Sequence, residues 1–137
     1  MSLYLCIFDD DEEIDGVAVG AYSDFGDFRA AVAKALEGDN WGSRFPALMS
    51  HSDCDGQWTV EECAKLEMEL ETIITEMKGL PPRQFSAEWQ KKQAKTLGLS
   101  PQSLYESFID VDGEPLLERL LELVHLARQH GLPILFQ

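Results

Sequence analysis

The chain has 137 residues, 45% hydrophobic and 26% charged, with a formal charge of −14 at pH 7. That length fits one domain with a core of its own, so residues 1–137 are taken as a single domain. No apolar run reaches the roughly 18–20 residues of a membrane span. The acid excess repels nucleic acid and anionic lipid, which excludes both as natural partners.

A net charge of about 2–8 keeps a small domain soluble. The value of −14 exceeds that and favours a basic partner by long-range attraction. Met1-Ser2 leads into an apolar strand without a basic leader, and a cytoplasmic location is expected. Cys6, Cys54 and Cys63 make an odd count without a disulfide framework, so reduced, buried thiols are expected. A zinc site built from them with His51 would lack the short paired spacings such sites use.

Leu3-Tyr4-Leu5-Cys6-Ile7-Phe8 is a continuous apolar run and predicts a central strand buried on both faces. Asp9, Asp10, Asp11, Glu12, Glu13 and Asp15 then place six carboxylates within seven positions. Charge of that density resists burial and predicts a solvated loop. Val17 to Ala21 follows as a short strand, hairpin-paired with the first. Ser23 or Asp24 caps a helix carrying Phe25, Phe28, Val32 and Leu36 on one face, with Gly38 at its end. Asp39 to Ser43 is a polar loop holding Trp41. Phe45 to Met49 predicts a strand, placed at an edge by Pro46.

His51 to Glu62, HSDCDGQWTVEE, is the stretch closest to a chemical site. Set on a calcium loop, Asp53, Asp55 and Glu62 fall on ligand positions, with Gly56 at the sharp turn and Trp58 at the apolar position. His51 takes the first ligand position, where a carboxylate is needed; imidazole suits a hard cation poorly. The same letters spell a turn, Asp55-Gly56, and a T-x-x-E capping box from Thr59 to Glu62. Turn and cap prevail, so no metal and no cofactor is expected. A metal-binding or hydrolytic use of this carboxylate cluster is the alternative.

From about Val60 to Lys78, Cys63, Leu66, Leu70, Ile73, Ile74 and Met77 form the inner stripe of a helix. Its polar side carries Glu61, Glu67, Glu69, Glu71 and Glu76. Glu67 and Glu71 are like charges four apart, which weakens an isolated helix by a few tenths of a kcal/mol and marks this face as a candidate partner surface. Gly79 to Pro82 ends the helix. Arg83, Lys91, Lys92 and Lys95 then reverse the balance against Glu88 alone, a basic patch suited to internal pairing or to a second subunit. Ser86 caps a helix holding Trp89 and Leu97, closed by Gly98.

Ser100-Pro101 opens a short turn through Leu104-Tyr105, and Asp110 to Pro115 is a second turn rich in carboxylates. The last helix, to about His130, is leucine-rich around much of its girth and belongs in the middle of the fold. Gly131 and Pro133 stop it, and Ile134-Leu135-Phe136 ends the chain as a strand. The sum is an α+β fold: a small mixed β-sheet with three to four helices packed mainly on one face.

His51, His125 and His130 form no catalytic constellation, and His130 sits where a helix C-terminus favours a cation. There is no nucleophile elbow, phosphate loop, HExxH or CxxC, and carboxylates are too abundant to single out an acid/base pair. The chain is expected not to be an enzyme.

Three blocks in order, LYLCIFDDDEEIDGV, GSRFPALMSHSDCDGQW and FIDVDGEPLLERLLELVHLA with the ending PILFQ, resemble a family of bacterial polymorphic-toxin immunity proteins, immunity protein 70. The resemblance implies a small cytoplasmic α+β protein that binds and blocks a cognate toxin domain, and it brings no catalytic residues. On that reading an acidic surface faces a basic toxin such as a nuclease. The candidate contact residues are Asp9, Asp10, Asp11, Glu12, Glu13, Asp15, Asp53, Asp55, Glu67 and Glu71, with Trp58 and Tyr22 as aromatic anchors. The protein would work as a monomer or homodimer.

Overall fold

In a computed structural model, which describes residues 2–137, β1 (Ser2–Asp9) and β2 (Glu12–Ala21) form a hairpin. Only Asp10 and Asp11 lie outside the strands, and Asp10 takes a left-handed conformation, φ 56°, that aspartate tolerates well. The acidic run is therefore mostly strand and not loop. A hairpin tip leaves side chains in water while the backbone pairs, so dense charge does not exclude the strand there.

Ile134–Phe136 (β4) pairs with β1, and Gln57–Trp58 (β3) pairs with β4. The sheet order is β2-β1-β4-β3. Every pairing is antiparallel, where a mixed sheet was expected, because each later segment returns against its neighbour. Leu3, Leu5, Ile7, Val17, Val19, Ile134 and Phe136 are buried in the core. β1 is central, yet its other face is only half covered: Tyr4 and Phe8 keep partial exposure. The Tyr4 ring lies over Gly16, where a Cβ would meet its hydroxyl at 2.0 Å. Glycine at that position lets the ring lie flat on the sheet.

Helices α1 (Tyr22–Leu36), α3 (Val60–Lys78) and α5 (Leu116–His130) supply the rest of the core. Phe25, Phe28 and Val32 of α1 are fully buried, as the periodicity predicts. The Asp24 carboxylate accepts from the Ala21 amide at 2.7 Å, so it caps α1 from inside the first turn. Thr59 and Glu62 make the reciprocal box that starts α3, at 3.1 and 3.0 Å. Gly98 and Gly131 close their helices at φ 68° and 66°. Among the described residues no helix is long and apolar enough to cross a membrane.

Between Lys78 and α5, α4 (Glu88–Leu97) docks through Trp89, whose indole N–H donates to Asp24 at 2.9 Å. Beneath it Phe85, Ala94 and Ile109 form a small separate cluster. Ser86 does not cap this helix. Its hydroxyl reaches Asp27, and the Gln90 side chain accepts from the Ala87 amide instead.

Pro46–Met49 (α2) is a four-residue helix, not the expected edge strand. Charges from other helices hold its two ends. Glu69 of α3 accepts from the amides of Ala47 and Leu48 at 3.0 and 2.9 Å. Arg29 of α1 donates to the carbonyls of Leu48, Met49 and His51 at 3.3, 3.4 and 2.8 Å. An anion at the amide end and a cation at the carbonyl end are what the helix dipole favours. Glu37, buried just after α1, accepts from the amides of Gly42, Arg44 and Phe45.

Cys6 and Cys63 are buried, as expected, but Cys54 is exposed in the turn before β3. Burial pushes both enclosed thiols up to about 11 from 9.0. A pKa raised by folding contributes stability below the unfolded value and loses it as pH climbs through the folded one. Stability should therefore fall between about pH 9 and 11, as the unfolded chain gains thiolates the fold refuses. The Cys6→Ala/Cys63→Ala variant should lose less melting temperature than the parent between pH 8 and pH 10. A thiol reagent on the native protein should label Cys54 rapidly and the other two only on unfolding.

Urea unfolding should separate the two kinds of cap. Thr59→Ala should cost about 1 kcal/mol, the usual loss of an N-cap. Glu37→Ala strands three amides, one buried and two part-buried, and should cost about 2–4 kcal/mol. A Glu37 loss no larger than that of Thr59 would show that water replaces the carboxylate.

Candidate functional site

At the hairpin tip Asp9, Asp10, Asp11, Glu12 and Glu13 are all exposed, and none makes an ion pair among the described residues. Glu13 accepts from the Tyr4 hydroxyl at 2.7 Å, and that bond, with burial, pushes the phenol up to about 12. Asp15 behaves differently. It pairs with Arg119 of α5 at 3.3 Å, and the same guanidinium serves Asp110, Glu122 and the Gly16 carbonyl. Asp15 thus fastens β2 to α5 and adds little free charge to the tip.

The His51–Glu62 stretch does not converge on one point. The His51 ring stacks on Phe136 at 4.2 Å, and its two nitrogens lie 2.8 Å from the carbonyls of Ser52 and Gln57. Glu62 is turned back to the Thr59 amide. Asp55 is exposed and Asp53 half-buried, the latter close enough to raise Arg29, whose pKa burial lowers. Trp58 is only 1% exposed, and its indole N–H donates to the Ala47 carbonyl at 2.9 Å. It anchors β3 to α2 and offers no surface to a partner. Tyr22 is also largely turned inward, packed against the core.

The acidic side of α3 proves to be divided. Glu67 is only 17% exposed, set between α3 and α5, where it meets His125 at 2.8 Å and Arg128. It is an interhelix clamp and not part of an outer face. Glu69 turns inward to α2, and burial raises its pKa despite the two amides it accepts from. Glu76 pairs with Arg44 at 2.6 Å, a hydrogen bond that lowers its pKa. Glu61 and Glu71 remain exposed. Glu67, Glu71 and His125 place ligand atoms within 4.8 Å of one another. Arg128 already supplies a positive charge to Glu67 there.

The basic residues after α3, expected as a patch for internal pairing or a second subunit, also carry a shape that their spacing does not reveal. Arg83, Lys91 and Lys95 line a groove of about 620 Å³ with Phe85 and Leu99. The reversal of charge after Pro82 was the available signal. Asp110, by contrast, is the buried hub of its turn, accepting from the amides of Asp112 and Glu114 at 3.0 Å. Burial raises its pKa.

The hairpin tip and the groove are exposed surfaces of opposite charge. No match is found among curated proteins or solved structures. The model of one protein family, described as immunity protein 70, matches residues 3–136, which takes in the acidic hairpin, the α2 connection and the last strand. The chain belongs to the immunity protein 70 family.

Proposed function

We propose that this protein neutralises a cognate toxin domain by binding it through the acidic tip of the β1–β2 hairpin. The observation that carries the reading is the contrast between acids. Those on α3 and α5 are mostly engaged in internal pairs, whereas Asp9 to Glu13 are exposed and unpaired on a two-stranded support. Such an array attracts a basic partner. A toxin that acts on nucleic acid carries positive charge for its substrate, so a nuclease domain fits best. Phe8 and Ile14, half-buried beside the tip, are the apolar groups placed to anchor the contact once charge has brought the partner in. Asp53, Asp55 and Glu71 are further exposed or half-exposed acids of the same sign.

On this reading the chain acts as one domain in the cytoplasm, as a monomer or homodimer, and blocks its partner without catalysis. It uses neither nucleic acid nor membrane. Charge at the tip raises the association rate more than the final affinity.

Co-expression with the toxin domain encoded beside it is the direct test. The parent chain should rescue growth. The variant Asp10→Asn/Asp11→Asn/Glu12→Gln/Glu13→Gln should associate at least about tenfold more slowly at low salt. The difference should shrink at 1 M salt, where the Debye length is about 3 Å. Asparagine keeps the left-handed turn at position 10, so the fold should survive. Death of cells despite the protein would end the immunity reading. Unchanged association at low salt would move the interface off the hairpin.

A further inference from the structure

The groove beside α4 is opposite in sign to the rest of the molecule. Its lining includes Arg83, Lys91 and Lys95 and no carboxylate, on a chain of 25 acids and 11 bases. Phe85, Leu99 and Pro101 supply apolar walls. Arg83 is fixed in place by Asp27 and lies over the Phe108 ring. Lys95 has no ion pair among the described residues, and Lys91 meets only the exposed Glu88, at 3.4 Å. Two cations one turn apart on α4 therefore face solvent above an apolar floor.

The opposite bank is the irregular segment 81–86, held off α3 by Pro81-Pro82. The Arg83 amide donates to the Ser107 hydroxyl at 3.1 Å. The amides of Gln84 and Phe85 donate to no group among the described residues. Backbone amides without a partner among the described residues thus lie on one bank and ammonium groups on the other. Lysines four apart on a helix are separated by about 6 Å along its axis. Carboxylates at alternate positions of an extended chain repeat every ~6.6 Å.

We propose that this groove binds an extended acidic segment of a protein partner, with carboxylates at alternate positions and apolar residues between them. The carboxylates would meet Lys91 and Lys95, and the intervening side chains would lie on Phe85 and Leu99. The backbone amides of Gln84 and Phe85 would donate to the incoming carbonyls, as in other grooves that take an extended peptide. A single small anion would use the charge and leave the apolar walls wet. This surface is independent of the acidic hairpin and selects a partner of the opposite charge.

The test needs no toxin, so its failure leaves the hairpin reading untouched. The isotope-labelled protein is titrated with the capped peptide Glu-Leu-Glu-Leu-Glu, with its Lys-Leu-Lys-Leu-Lys counterpart, and with free acetate. The acidic peptide should shift the amides of Gln84, Phe85, Lys91, Lys95 and Leu99 saturably. The basic peptide and acetate should not. Lys91→Glu/Lys95→Glu should weaken binding by at least tenfold while the melting temperature holds, because both side chains are exposed. If that reversal unfolds the chain, Lys91→Gln/Lys95→Gln is the substitute, with the same loss expected. Absence of saturation up to roughly 10 mM peptide would overturn the proposal. So would shifts mapping elsewhere, equal binding of acetate, or undiminished affinity in the variant.

Discussion

The fold depends on satisfying the buried backbone of the connection between α1 and α3. Residues 37–59 contain one helix of four residues and one strand of two, too little regular structure to pair their own amides and carbonyls. Yet Phe45, Leu48, Met49 and Trp58 are all in the core. An unpaired backbone group in such a place costs about 1–3 kcal/mol, and several would outweigh the stability of a small domain. Charged side chains from the flanking helices, and Glu37 at the start of the connection, meet this need. Glu37 and Glu69 take the amides, and Arg29 takes the carbonyls. Burying these charges is tolerable because each makes several hydrogen bonds at once.

The rest of the sheet follows from that arrangement. With α2 held, its Ala47 carbonyl receives the Trp58 indole, and the Met49 carbonyl receives that of Trp41. Trp58 in turn fixes β3, which supplies the outer partner of β4. His51 and Trp58 pack on Phe136 from one side, with ring centroids 4.2 and 4.7 Å away. The stretch that most resembled a metal loop is therefore the clasp that closes the sheet edge. Its carboxylates either cap α3 or face water.

Legibility in the sequence followed the range of the interactions involved. The hairpin, α1, α3 and α5 were readable because apolar spacing and a local turn or cap define each of them. Thr59 with Glu62, and the glycines at 38, 98 and 131, are signals complete within a few residues. Phe45 to Met49 failed because nothing in those letters says that Glu69 and Arg29 will arrive from other helices. Trp58 was misplaced for the same reason: a tryptophan beside acids resembles a surface anchor until its indole is seen on Ala47. Cys54 stayed outside because the turn that holds it never enters the core. At the candidate site, the total acidity was plain and its partition was not. Glu67 and Asp15 sit in the chain like free acids, and only α5 beside them turns both into ion pairs.

On the proposed reading, the partition of charge also decides how a partner can approach the hairpin. β2 is a sheet edge, and an open edge invites another strand. Part of it is already occupied: the Ala18 carbonyl takes the Val111 amide, and the Gly16 carbonyl takes Arg119. Beyond these, toward the tip, Glu12 and Glu13 make strand addition unfavourable to any chain not rich in bases. On that reading, the same carboxylates that blunt the edge against self-association would restrict the approach to a basic partner. Selectivity at this end of the molecule would then come as much from what the acids repel as from what they attract.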